Sequence, residues 1–102
     1  MNKFEVVLLI SPDIAKPKID EEINKFKEII KSSSGKIVNE EDWGLRDLNF
    51  NILKFKKAFY KFFQIEILGS EISNIKKDLT QNDNFIRHLF IKVNKHQDLP
   101  TK

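Results

Sequence analysis

The stretch from Lys36 to Ile67 constrains this chain more than any other, because it reads as β-structure almost from end to end. Trp43 and Leu45 stand two apart, and after Gly44 the apolar series continues at Leu48, Phe50 and Ile52, so its parity moves from odd to even. One extra residue in a strand has that effect, and a Gly inside a strand pattern marks such a bulge. Phe55-Lys56-Lys57-Ala58 then reads as a basic return. Beyond it Phe59, Phe63, Ile65 and Ile67 alternate with Tyr60, Phe62, Gln64 and Glu66, Lys61 being the misfit of the first set. The prediction is one long bulged hairpin. A two-stranded ribbon is marginal in water by itself, so the rest of the chain must supply more strands and a covering layer.

The flanking segments do so. Lys3 to Ser11 is apolar on both parities after Glu5, as a central strand buried on both faces would be. Ser11-Pro12-Asp13 is a turn, and Pro17 suits the first turn of a helix, with Asp20, Glu21 and Glu22 placed to complement its dipole. Ile19, Ile23, Phe26 and Ile30 form one apolar stripe, with Glu and Lys opposite. Ser32-Ser33-Ser34-Gly35 closes the helix, Gly35 supplying the left-handed residue. A second helix follows over Glu71 to Gln81 on Ile72, Ile75 and Leu79, then a turn at Asn82-Asp83-Asn84 and a fourth strand, Phe85 to Val93. The order βαββαβ is the split βαβ, or ferredoxin-like, α+β arrangement. Right-handed crossovers place the first and third strands centrally, and one face of a four-stranded antiparallel sheet takes both helices. Residues 1–93 form a single domain, and 94–102 a flexible polar tail.

Nine Phe among 102 residues and 40% apolar content support a packed core. The absence of Cys excludes disulfides and thiolate metal sites. Neither a membrane span nor a signal-peptide pattern is present, so a cytoplasmic protein is expected. The net charge of +3 is unevenly placed: residues 1–53 carry eight basic against ten acidic side chains, and residues 54–102 carry ten against five. The basic second half points to a polyanionic partner, although Lys-rich surfaces are also ordinary solvated faces.

Strand parity then nominates residues. If Ile86, His88 and Phe90 face the helices, Arg87, Leu89 and Ile91 lie on the open face, where Arg87 is suited to bidentate phosphate contact or to pairing with a cross-strand acid such as Glu5. Lys92 and Lys3 fall near the same end of their strands as further phosphate contacts. Lys54, Lys56 and Lys57 make a basic hairpin tip, with edge protection as the competing role. Tyr60 and Phe62 offer either a stacking surface or a packing surface for a partner protein. Trp43 and Arg46 are residue types enriched at binding hot spots, while Trp43 could equally cap the core. The acidic run Glu40-Glu41-Asp42 suits a basic protein partner. Without a nearby His it suggests no metal, and His88 and His96 join no catalytic constellation.

The Lys3-Phe4-Glu5 start, Ser11-Pro12-Asp13, Gly35-Lys36-Ile37, the Trp43-Gly44-Leu45-Arg46-Asp47-Leu48 segment, Ala58-Phe59-Tyr60 and Asn82-Asp83 followed by Ile86-Arg87 together resemble the bacterial small ribosomal subunit protein six family. Asn49-Phe50-Asn51-Ile52 departs from the family's usual pattern by lacking a Pro at position 51, which restores a backbone donor there. The resemblance implies a non-enzymatic, cofactor-free component of the small ribosomal subunit, monomeric when isolated. It implies binding to the central domain of the ribosomal RNA jointly with small-subunit protein eighteen. Lys3, Lys54, Lys56, Arg87 and Lys92 would then contact RNA, and Trp43, Arg46, Tyr60, Phe62, Leu89 and Ile91 the protein partner. The alternatives are a ligand-binding or dimerising domain of the same fold, or an acylphosphatase-like enzyme, for which the turn after the first strand lacks an Arg-bearing phosphate cradle.

Overall fold

The computed structural model describes residues 1–52 and 54–96. Its elements are β1 (Asn2–Ile10), α1 (Lys16–Ser32), β2 (Lys36–Ile52), β3 (Phe55–Ile67), a short 3₁₀ turn (Gly69–Glu71), α2 (Ile72–Thr80) and β4 (Phe85–Val93). All pairings are antiparallel, in the order β2-β3-β1-β4, so the first and third strands are central as the crossover rule requires. The hairpin turns three residues earlier than the sequence suggests: Ile52 pairs with Phe55, and Phe55 to Ala58 belong to β3.

The helix-covered face carries the main core. Phe4, Val6, Leu8 and Ile10 of β1 and Phe63, Ile65 and Ile67 of β3 meet Ile19, Ile23, Phe26 and Ile30 of α1 and Ile72, Ile75 and Leu79 of α2. The Phe26 and Phe63 rings pack at 5.0 Å and 47°. Full burial of each such side chain contributes about 1.5–3 kcal/mol. The stripes read from the sequence are therefore the ones buried.

Four local expectations are corrected. Helix α1 begins at Lys16, so Asp20, Glu21 and Glu22 lie beyond its first turn. Glu22 is not on the solvated side: it is 1% exposed and accepts a hydrogen bond from the Asn82 side chain, in the turn before β4. Lys25 Nζ donates to its other oxygen at 3.2 Å. Burial alone would raise the Glu22 carboxyl, but hydrogen bonds from Asn82, Lys25 and Asn84 outweigh it and hold the group below its ordinary range.

At the end of α1 it is Ser34, at φ 63°, that takes the left-handed conformation. Gly35 serves a different need. Its N–H donates to Ile30 O at 2.8 Å, and a Cβ there would lie 2.9 Å from that same oxygen. Finally, the β1–β4 register shifts between Leu9 and Ile10, so Phe85 joins the helix-side core while Ile86 packs with Leu9 and Ala58 on the open face. Beyond β4, His96 Nε2 lies 3.2 Å from Phe4 O and 3.1 Å from Ile65 O, and because both are acceptors it is the imidazole that donates. Residues 97–102 of the expected tail, and the side chains of Phe50, Asn51 and Ile52, lie outside the described part of the molecule.

Candidate nucleic-acid and partner interface

The pleat sends every second residue of the four strands to the face that carries no helix, and the register aligns them in rows. Tyr60, Leu9 and Arg87 form one row, Glu41, Phe62, Val7 and Leu89 the next, and Asn39, Gln64, Glu5 and Ile91 a third. Leu89 and Ile91 are 41% and 56% exposed, large apolar side chains uncovered on an edge strand. Val7, Leu9, Leu48, Asn49, Tyr60, Arg87 and Leu89 surround an open depression of about 200 Å³ in this face.

The bulge expected at Gly44 exists, and it organises the outer strand. The β2–β3 register shifts between Asp42 and Gly44, Gly44 adopts φ 75°, and its N–H donates to Asp42 Oδ1 at 2.8 Å. Nothing lies within 4 Å of where its Cβ would be, so the Gly is required by conformation and not by crowding. The extra residue puts Trp43 on the open face, stacked on Phe62 at 5.0 Å and 9°. It is a surface residue there and does not cap the helix-side core. The Arg46 guanidinium lies over both the Trp43 and Tyr60 rings, at 5.4 and 6.0 Å, and its Nε donates to Trp43 O at 3.1 Å. Trp43 Nε1 donates to Glu41. Trp43, Phe62, Tyr60 and Arg46 thus form one pre-ordered cluster, continuous across the sheet with Leu89 and Ile91.

The five cations expected to meet RNA do not form one patch. Lys54 and Lys56 sit at the tip of the β2–β3 hairpin, and Arg87 near the start of β4. All are at the end of the sheet where β1 finishes, linked through Phe55, which lines the hollow beside Lys54 and Lys56 and also the groove beside Arg87. Lys3 and Lys92 are at the other end, by the rise per residue about 20 Å along the strands from Arg87 and roughly 33 Å from Lys56. Lys3 is on the open face and Lys92, paired with Phe4, on the helix side. Among the described residues none of these five cations enters an ion pair, whereas Lys57 approaches Asp47 and Lys61 is held by Asp42 at 2.9 Å. Arg87 lies opposite Leu9 and so has no cross-strand acid; Glu5 instead accepts from Gln64, which in turn accepts from Asn39. The hydrogen bond from Lys61 holds the Asp42 carboxyl below its usual range.

Sequence parity missed Val7, Leu9, Leu48 and Asn49 as parts of the open face. Leu48 carried a usable signal in its even parity after the bulge. Val7 and Leu9 did not, because a strand apolar on both sides does not say which side is covered. Among the described residues no group of three or more metal-ligating side chains is present, and no helix is long and apolar enough to cross a membrane.

Four antiparallel strands with both helices on one face, and Leu89 and Ile91 uncovered on the other, define a ferredoxin-like α+β protein with one open sheet face. Comparison with known proteins narrows the class. The family model described as ribosomal protein S6 matches residues 3–92, and the chain belongs to that family. It is 34% identical over 97 residues to small ribosomal subunit protein bS6 of Bartonella bacilliformis, covering 95% of this chain and 71% of that one. Over 96 residues it is 30% identical to the protein of the same name from Christiangramia forsetii, covering 94% and 86%. A crystal structure of 30S ribosomal protein S6 from Thermotoga maritima superposes with a TM-score of 0.86 at 20% identity, over 90% of this chain and 87% of that one, which supports the fold. The chain is thus a structural protein of the small ribosomal subunit and not an enzyme.

Proposed function

We propose that this chain helps assemble the small ribosomal subunit by binding the central domain of its ribosomal RNA together with small-subunit protein eighteen. The observation that carries the reading is the separation, on one sheet, of an aromatic and apolar surface from cations at its ends that enter no ion pair among the described residues. Trp43, Arg46, Tyr60, Phe62, Leu89 and Ile91 serve the protein neighbour, with the acidic β2 edge suited to a basic one. Lys54, Lys56 and Arg87 at one end and Lys3 and Lys92 at the other serve phosphates. Contacts about 20 Å or more apart fit a backbone that passes the sheet at two places better than a single short loop. The uncovered Leu89 and Ile91 form a surface normally occupied in the assembly, and the isolated chain is a monomer.

The test is binding to central-domain RNA fragments with and without protein eighteen. Strong binding only when both proteins are present is expected; high affinity of this chain alone for the RNA would refute the shared site.

A further inference from the structure

Besides the open face, a second surface joins aromatic rings to cations: the outer edge of the helix-covered side, where β4 ends the sheet and the nine-residue α2 covers it incompletely. Phe90 and His88 point to that side and remain half-buried, their rings edge to face at 5.8 Å. Lys76 of α2 holds its Nζ 5.7 Å from the centre of the Phe90 ring. Lys92 is next along the same strand face and exposed. A groove of about 520 Å³, bordered by Thr80, Asn82, His88 and Arg87, continues the surface toward the hairpin tip. Asp83 is the carboxylate on its border, while Lys76, Arg87 and Lys92 are exposed and in no ion pair among the described residues. Burial and the neighbouring Lys76 charge lower His88, so near neutral pH it presents an uncharged ring.

We infer that the α2–β4 edge is a further RNA contact, in which an unpaired nucleotide stacks on the Phe90 and His88 rings while Lys76 and Lys92 neutralise its flanking phosphates. A ring flanked by cations suits single-stranded RNA, because every base has a face to stack and the phosphates on either side require positive charge. A protein partner would gain less from Lys76 and Lys92, long solvated side chains of the kind depleted at the centres of protein interfaces. The inference rests on the RNA-binding reading above and adds to it the residues Lys76, His88 and Phe90. It also gives Lys92, isolated from the open face by its parity, neighbours with which to act.

The experiment measures binding of the chain, with protein eighteen, to a fluorescent central-domain RNA fragment across a salt titration, for the wild type, Lys76→Gln and Phe90→Leu. Phe90→Leu keeps an apolar side chain against the core and removes the ring; thermal melts establish that both variants fold. Lys76→Gln is expected to lower affinity about threefold to tenfold and to reduce the slope of log K against log salt by nearly one. Phe90→Leu is expected to lower it at least fivefold with the slope unchanged, as lost stacking would. Wild-type affinity and slope in both variants overturn the inference while leaving the shared site standing. Weakened association with protein eighteen in the absence of RNA would overturn it too, by making this edge a protein surface. If the wild type itself fails to bind with protein eighteen present, the broader proposal falls first.

Discussion

Replacing Glu22 by Ala tests whether a buried carboxylate fastens α1 to the turn before β4. Asn82, sixty residues on in the sequence, makes that side-chain link, with Asn84 beside it, and Glu22 is 1% exposed. A hydrogen bond to a charged acceptor contributes about 1.5–3 kcal/mol. Asn82 is half-buried and regains water when the carboxylate is removed, which favours the lower part of that range. The contacts of Lys18 and Lys25 add little, because those ammonium groups are solvated. The better helix propensity of Ala returns roughly 0.2–0.4 kcal/mol, so the expected loss rests on the Asn82 bond. The expected loss is about 2 kcal/mol near pH 7, seen as a fall of roughly 1–2 M in the urea midpoint at unchanged m.

The pH dependence separates this from generic packing loss. The folded carboxyl titrates below its unfolded value of about 4.3, so its stabilisation is complete above that value and is lost as pH falls through the folded pKa. The difference between wild type and Glu22→Ala should therefore shrink on acidification, while that between Glu22→Gln and Glu22→Ala should not. A gap between wild type and Glu22→Ala that is the same at pH 7 and pH 3, or below about 0.5 kcal/mol throughout, would refute the reasoning.

Other outcomes follow from single positions. Ser34→Gly should stabilise by about 0.5–1 kcal/mol in urea melts, because Ser34 occupies a left-handed backbone conformation. Gly35→Ala should destabilise, since its Cβ would meet the Ile30 carbonyl at 2.9 Å. Gly44→Ala meets no atom and should cost only the left-handed conformation, about 1–2 kcal/mol by the same assay. Trp43→Ala should weaken association with protein eighteen by at least tenfold in a calorimetric titration, as loss of an interface aromatic does. Lys54→Ala and Arg87→Ala should each weaken joint RNA binding and reduce its salt slope by nearly one, and an unchanged slope would remove the residue from the phosphate contacts.

Element order, strand centrality and the two helical stripes were legible because period and composition are local properties. The same period even carried Glu22: it stands three after Ile19 and four before Phe26, on the flank of the buried stripe, but residue type argued for solvent. Its partner Asn82 lies in a distant turn, and no local pattern announces such a pairing. Ser34 and Gly35 exchanged roles for a related reason. Conformational freedom favours Gly at the left-handed position, but Ile30 and, from β3, Ile67 crowd the next residue, and only the packed arrangement reveals which demand is stronger.

The candidate site shows where parity stops informing. Alternation correctly put Arg87, Leu89 and Ile91 on one face and Lys92 on the other, because those residues follow the register shift beside Leu9 and Ile10. Ile86 precedes it and went to the wrong side. Parity also says nothing about position along a strand, and antiparallel pairing is what carries Arg87 to the Lys54 end while leaving Lys3 and Lys92 at the other. A sequence can therefore nominate all five cations without revealing that they fall into two groups about 20 Å or more apart. That division changes what a single substitution means. Loss of one cation should weaken one anchor of a two-anchored RNA, and two losses at the same end should couple more strongly than losses at opposite ends, since sites well beyond 10 Å without shared partners are close to additive.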